Sequence, residues 1–297
     1  MVAVPPHNRT AIIDLRVLAA GREGFTMTTH GSDKVFGSSM AEVYERYLVP
    51  LIFTPYAADL SKRVAASPGQ HVLEIAAGTG AVTRELARRL PEGVSIVATD
   101  LNQGMLNQAT GQGTARPVTF RLADAMALPF PDGSVDTIVC QFGTMFFPDK
   151  PAAFAEARRV LKPGGHFHFN VWDRIEENEF ANDVTDALAE IFPDDPPRFM
   201  ARIPHGYHDI ATIRNDLAGG GFSGDAEIET VRHVSRADSF EDPAIAYCQG
   251  TPLRTEIEAR GGKLDEATAH AAKLIAQKHG LGPVEGRIQA HVISVSR

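Results

Sequence analysis

The hydrophobic positions change their period along the chain, and the changes mark out the elements. Over residues 37–51, Met40, Val43, Tyr44, Tyr47, Leu48 and Leu51 recur at spacings of three and four, which predicts a helix with one apolar stripe. Thr54 and Pro55 read as the N-cap and first residue of a second helix, with Tyr56, Leu60 and Val64 as its stripe and Ser67-Pro68-Gly69 as its stop. From 71 to 172, short apolar runs alternate with helical spacing. Strands are predicted at 71–76, 94–100, 118–122, 135–141 and 166–172, with helices at 78–90, 103–110 and 152–161. In the first of these helices Val82, Leu86 and Leu90 face inward, and Arg84, Arg88 and Arg89 face outward. Strands separated by helices of this length imply right-handed crossovers and a parallel sheet, so the fold class is α/β, doubly wound.

After Trp172 the alternation stops. Residues 173–208 read as an insertion around a helix near 180–192, 209–218 as a helix ending at Gly219-Gly220-Gly221, and 225–234 as a sixth strand. Residues 237–284 form a second helical insertion, with its clearest stripe at Leu264, Ala267, Ala271, Leu274 and Ile275, and 287–295 alternates as a terminal strand. The organisation is therefore a tail over 1–26 (with Met27 a second candidate start), N-terminal helices over 27–70 that cover a site, a core over 71–172, a cap insertion over 173–208, and the remainder of the sheet over 209–297.

Composition narrows the function classes. Of 297 residues, 43% are hydrophobic and 22% charged, an ordinary globular balance that argues against wholesale disorder. Lys and Arg number 29 against 37 Asp and Glu, a net charge of −8, and no basic stripe is present for nucleic acid. Two cysteines, Cys140 and Cys248, make neither a disulfide framework nor a cysteine-rich zinc site, which fits a reduced, cytoplasmic setting. No apolar run reaches 18 residues, and Asp14 and Arg16 interrupt the mildly apolar stretch over 10–21.

The chemistry concentrates in Val72-Leu73-Glu74-Ile75-Ala76-Ala77-Gly78-Thr79-Gly80, a strand running into a glycine turn and then a helix. Glycines there let the backbone approach a ligand at the carboxyl end of the sheet. Asp100 ends the next strand, 20 residues past Gly80, where a carboxylate can accept from both hydroxyls of a ribose. The ligand therefore contains a nucleoside. Glu74, within the first strand, opposes a pyrophosphate at the same turn, and Thr83 stands where a dinucleotide fingerprint needs its third glycine. A nucleoside carrying positive charge suits the carboxylate better, and S-adenosyl-L-methionine, with an ammonium, a sulfonium and no phosphate, is such a ligand.

With these residues in place, the stretch from about Val72 to Trp172 resembles the class I S-adenosylmethionine-dependent methyltransferases. It is similar in particular to the ubiquinone/menaquinone-biosynthesis-like group, methyltransferase type 11. The matching segments are the glycine motif at 74–80, Asp100-Leu101-Asn102 followed by Met105, Ala123-Asp124-Ala125-Met126-Ala127-Leu128-Pro129-Phe130, the following Pro131-Asp132-Gly133-Ser134-Val135-Asp136, and Arg159-Val160-Leu161-Lys162-Pro163-Gly164-Gly165. The resemblance implies a mostly parallel seven-stranded sheet whose last strand is antiparallel, with helical cap insertions. It implies S-adenosylmethionine as cofactor, S-adenosyl-L-homocysteine as product, and a small-molecule methyl acceptor. It places Glu74 on the ammonium side of methionine, through water, and the backbone of Ala76, Gly78 and Gly80 along the methionyl and ribose part. Asp100 is placed on the ribose hydroxyls, Leu101 and Met105 along adenine, Asp124 and the Ala125 N–H on its edge, and Gln141 near the transferred methyl. Tyr44 or Tyr47 covers the cofactor. Ala76 replaces the family's glycine, so its φ is expected below zero.

Other residues keep plainer readings. His166 with His168 and His205 with His208 have metal-compatible spacings but no completing ligand, so no metal is expected. Phe142, Met145, Phe146 and Phe147 read equally as core and as an acceptor pocket. Lys162-Pro163-Gly164-Gly165 reads as a helix stop and turn, and Cys140 as an inert strand residue. Candidate general bases are His205, His208, Tyr207 and Asp149, none carried by a motif. Two rival functions use the same turn: a nicotinamide-dependent oxidoreductase, and a non-catalytic protein that binds S-adenosylmethionine.

Overall fold

The computed structural model describes residues 38–223 and 226–297. The tail read over 1–26 lies outside them, as do Gly37 and Asp225. Seven strands form one sheet: β1 (His71–Ile75), β2 (Ser95–Asp100), β3 (Thr119–Leu122), β4 (Val135–Gln141), β5 (Leu161–Trp172), β6 (Glu227–Ala237) and β7 (Val284–Ser296). Their order is β3-β2-β1-β4-β5-β7-β6, with β7 antiparallel to both neighbours and the other pairs parallel. The chain reverses direction between β1 and β4, and this opens the crevice at the carboxyl ends of these strands where α/β proteins bind ligands.

Burial follows position in the sheet. β1 and β4 are buried almost along their whole length because both faces are covered. β6 is an edge strand, and its exposed Glu227, Glu229, Arg232 and Arg236 discourage pairing with another chain. β7 alternates weakly, because its centre lies between β5 and β6 with side chains buried on both faces.

Helices α3 (Ala81–Arg89), α4 (Gln103–Gln112) and α5 (Lys150–Val160) lie in the crossovers expected for them. Arg84 does not face solvent as its position on α3 suggests. It donates to Thr79 O at 2.7 Å and pairs with Glu45 at 2.7 Å, tying α3 to the N-terminal helices. The insertion after β5 contains α6 (Glu179–Ile191) and α7 (Phe199–Arg202), and α8 (Ile210–Gly219) follows. α9 (Glu241–Gly250), α10 (Leu253–Ala259) and α11 (Leu264–His279) fill the span between β6 and β7.

Three local expectations are corrected. The first two helices are not separate: α1 (Ser38–Val43) passes through a π-helix (Tyr44–Phe53) into α2 (Thr54–Ala66) without a break. Thr54 is helical and caps nothing. Its backbone N–H and its hydroxyl both donate to Val49 O, five residues back. Pro50 and Pro55 have no N–H to give, and the wider turn accommodates that loss. Second, residues 162–165 belong to β5, as an irregularity that shifts its register against β4 between Val135 and Thr137.

Third, Ala76 has φ +54°, and Phe142, the residue after β4, has φ +51°. Both adjoin the carboxyl ends of neighbouring strands, in a conformation that costs non-glycine residues of order 1–3 kcal/mol. Gly143 accommodates the Ala76 methyl, since a Cβ at 143 would stand 2.5 Å from Ala76 Cβ and 2.7 Å from Cys140 Sγ. The Phe142 ring stacks on Trp172 with centroids 3.7 Å apart, and Tyr56 meets both edge-on. The Gly143→Ala variant is therefore expected to lose about 1–3 kcal/mol through overpacking, visible as a melting temperature several degrees lower. An unchanged melting curve would contradict this close approach.

Candidate functional site

A cavity lies over the carboxyl ends of β1, β2 and β4, with an empty volume of about 1310 Å³ counting its open mouth. At one end its wall is polar. Asp100 accepts from the Gly78 N–H at 2.8 Å through Oδ2 and from the Asn102 N–H at 2.8 Å through Oδ1. The glycine turn and the β2 loop thus fix the carboxylate, while each oxygen keeps a lone pair for a further donor. Burial raises the Asp100 pKa, and the backbone donors oppose that rise. Asn102 caps α4 by accepting from the Met105 N–H, which brings Met105 onto the wall. Leu101 stands at the rim, 53% exposed. Asp124 accepts from the Met126 N–H at 2.9 Å, and this tight turn presents Asp124 and Ala125 to the cavity.

A smaller recess shares Tyr44, Phe53, Ala76, Gly78 and Gln141 with the main cavity and reaches Glu74. Glu74 is 1% exposed, and its Oε2 accepts from the Thr83 hydroxyl at 2.5 Å. Burial pushes its pKa up to about 8, against the Thr83 hydrogen bond and the field of Arg84. The residue that breaks the dinucleotide fingerprint is thus the one that holds the carboxyl group. Gln141 carries a buried Oε1 without a hydrogen-bond partner among the described residues, on the wall common to both spaces. Buried amide oxygens are normally satisfied, so this one is suited to a donor brought by a ligand.

Glu74, Ala76, Gly78, Asp100, Leu101, Met105, Asp124, Ala125 and Gln141 therefore converge on two adjoining spaces. Gly80 is not on either wall. It precedes α3 with φ +85°, and a Cβ there would meet Ala109 at 3.2 Å. Tyr44 lines both spaces, stacked on Phe53 at 5.1 Å, whereas Tyr47 lines neither and lies under Arg46. The π-helix and the Glu45–Arg84 pair hold Tyr44 there.

The other end of the cavity is apolar. Phe142, Met145, Phe146 and Phe147 all reach it, joined by Leu48 and Ile52 of the π-helix, Trp172, Phe199 and Met200, and by Tyr247 and Thr251. The sequence pattern did not single out the residues from the π-helix and the two insertions, because an apolar position lining a cavity has the same periodicity as one in the core. None of the four candidate bases lines the cavity. Asp149 caps α5 by accepting from the Ala152 N–H, and Tyr207 donates to Asp216 at 2.8 Å. His205 Nδ1 lies 2.8 Å from Asp173 O, and burial lowers its pKa to about 4. His208 Nδ1 lies 2.8 Å from His205 O. Among the described residues no group of three or more His, Cys, Asp or Glu is arranged to hold a metal, and no helix is long and apolar enough to cross a membrane.

The comparisons with known proteins agree with this geometry. Residues 73–169 match the methyltransferase-domain family Methyltransf_11. The ubiquinone/menaquinone biosynthesis C-methyltransferase UbiE of Geobacter sulfurreducens is 38% identical over 108 residues, covering 35% of this chain and 42% of that protein. The match thus spans about two fifths of that relative. The enzyme of the same name from Paraburkholderia phymatum is 32% identical over 166 residues, 52% of this chain and 68% of its own length. Among solved structures, a Haemonchus contortus phosphoethanolamine N-methyltransferase 2, in complex with phosphomonomethylethanolamine and S-adenosylhomocysteine, shares the fold with a TM-score of 0.55. It is 18% identical, over 88% of this chain and 58% of the other. The seven-stranded order, the crevice over β1 and these relatives together assign the chain to the class I S-adenosylmethionine-dependent methyltransferases, in the group that resembles UbiE.

Proposed function

We propose that the protein transfers a methyl group from S-adenosylmethionine to a small, largely apolar acceptor by direct displacement. The observation that carries this reading is the charge of the walls. Among the described residues that line the two spaces there are three carboxyl groups, Glu74, Asp100 and Asp124, and no Lys, Arg or His. Such a surface favours a cation and repels a diphosphate, which separates it from a nicotinamide site. Asp100 would take the ribose hydroxyls, Asp124 and Ala125 the adenine edge, and Glu74 with Gln141 the methionyl end beneath Tyr44. Bound S-adenosylmethionine supplies an already activated methyl carbon.

What remains for the chain is alignment and the exclusion of water. The aromatic side chains of Phe142, Phe146 and Trp172, with Phe199 and Met200 opposite, form an apolar enclosure for the acceptor. No side chain of that enclosure is a general base at neutral pH. Tyr247 is its titratable group, and burial raises the phenol pKa further. An acceptor that needs no deprotonation by the protein fits this enclosure, such as an electron-rich ring carbon or an acid already ionised. The C-methyltransferase names of the relatives support the first of these.

Two outcomes test the reading. By calorimetry, S-adenosylhomocysteine binds in the micromolar range and NAD(H) does not, and Asp100→Ala weakens S-adenosylhomocysteine by about 1–3 kcal/mol. Unchanged affinity would remove Asp100 from the ribose. The second concerns Glu74, which is protonated below its raised pKa of about 8 and must ionise to pair with an ammonium. Binding therefore releases protons below that value, and S-adenosylhomocysteine affinity rises from about pH 6 to about pH 7.5 by up to about tenfold per unit. Glu74→Gln flattens the slope. A wild-type affinity independent of pH over that range would show that Glu74 does not face the ammonium.

A further inference from the structure

The apolar end of the cavity contains one phenol whose environment differs from those of the other buried tyrosines. Tyr56 donates to Val231 O at 3.0 Å and Tyr207 to Asp216 at 2.8 Å. Tyr247 is 2% exposed as a whole residue and lines the cavity, and its hydroxyl makes no hydrogen bond to another described residue and is not among the sealed-off polar atoms. A phenol in an otherwise apolar wall, with no internal acceptor, is free to donate to a bound molecule.

The backbone around Tyr247 is held firmly. Thr251 donates to Tyr247 O at 2.7 Å and accepts from the Leu253 N–H, which closes the end of α9 onto the start of α10. Gly250 packs against the Tyr44 backbone, where an added Cβ would stand 3.4 Å from the Tyr44 nitrogen. The phenol is thus fixed relative to the π-helix that covers the cofactor end. Nothing on the apolar wall competes for it, since Phe142, Phe146, Trp172, Phe199 and Met200 offer no strong acceptor. Burial raises the Tyr247 pKa with no counteracting group, so the hydroxyl keeps its proton.

We propose that Tyr247 is the specificity-determining residue of the acceptor site, donating a hydrogen bond to an oxygen of the methyl acceptor. The acceptor is then an apolar molecule that carries a carbonyl or similar oxygen. This oxygen orients it, and Tyr247 takes no proton from it. The assignment rests on the reading of the apolar end as the acceptor site. It places a determinant of substrate choice in the span between β6 and β7, beyond the residues that match the methyltransferase-domain family.

The experiment uses the full chain saturated with S-adenosylhomocysteine. Its single tryptophan, Trp172, lies on the cavity wall and reports occupancy by fluorescence. Two probes of nearly the same shape are titrated, butyl phenyl ketone and pentylbenzene, which differ by a carbonyl in place of a methylene. Wild type is expected to prefer the ketone, and Tyr247→Phe to weaken the ketone by about threefold to tenfold, leaving pentylbenzene and S-adenosylhomocysteine unchanged. Tyr247→Phe also keeps the melting temperature, because no internal hydrogen bond is lost, whereas Tyr207→Phe lowers it. An undiminished ketone preference in Tyr247→Phe overturns the proposal, as does a melting temperature that falls as in Tyr207→Phe. Loss of S-adenosylhomocysteine binding by wild type would instead overturn the cofactor reading, so the two failures are distinguishable.

Discussion

Two carboxyl groups held at the carboxyl edge of a parallel sheet without a salt-bridge partner are the constraint on which the site depends. Glu74 has the Thr83 hydroxyl and Asp100 has two backbone N–H groups, and neither forms an ion pair among the described residues. Burying a carboxylate away from a cation is costly. The fold meets that cost differently at the two positions. At Glu74 the raised pKa lets the group stay protonated until a cation arrives. At Asp100 the backbone donors partly stabilise the charge in place. Both arrangements leave the wall ready for a positively charged nucleoside.

Packing between β1 and β4 makes room for that wall. Ala76 and Phe142 both adopt left-handed backbone after their strands, and Gly143 has no side chain to resist the Ala76 methyl. The strain is local and is offset by the Phe142–Trp172 stack and by Tyr56 against both rings. Strained backbone of this kind concentrates at functional sites, where the surrounding core determines it. Here the same rings that stabilise the turn also form the apolar wall, so the stability of the crevice and the shape of its apolar end are linked.

The apolar end of the cavity is assembled from parts far apart in sequence. The π-helix contributes Leu48 and Ile52, the segment after β5 contributes Phe199 and Met200, and α9 contributes Tyr247. Gly250 against Tyr44, and Arg84 with Glu45, connect these parts to one another and to the cofactor end. Beside Phe142, Met145, Phe146 and Phe147, this apolar end is therefore built from segments that the family match over 73–169 does not include.

The sequence by itself determined the strand–helix alternation from 71 to 172, the glycine turn, and the carboxylates that follow it. These depend on local signals: apolar runs, turn residues and fixed spacings along a single crossover. The terminal strand was legible for the same reason. Tertiary structure alone decided that Tyr44 rather than Tyr47 lines the cavity, because the segment winds as a π-helix, whose wider turn changes the register of that face. It alone decided that Ala76 takes positive φ, because the space for its methyl comes from Gly143 in the turn after β4. It placed His205, His208, Tyr207 and Asp149 in structural hydrogen bonds, and it gave the roof its Tyr247. An apolar or aromatic residue that faces a cavity and one that faces the core have the same spacing along the chain, and only the packing of distant segments tells them apart.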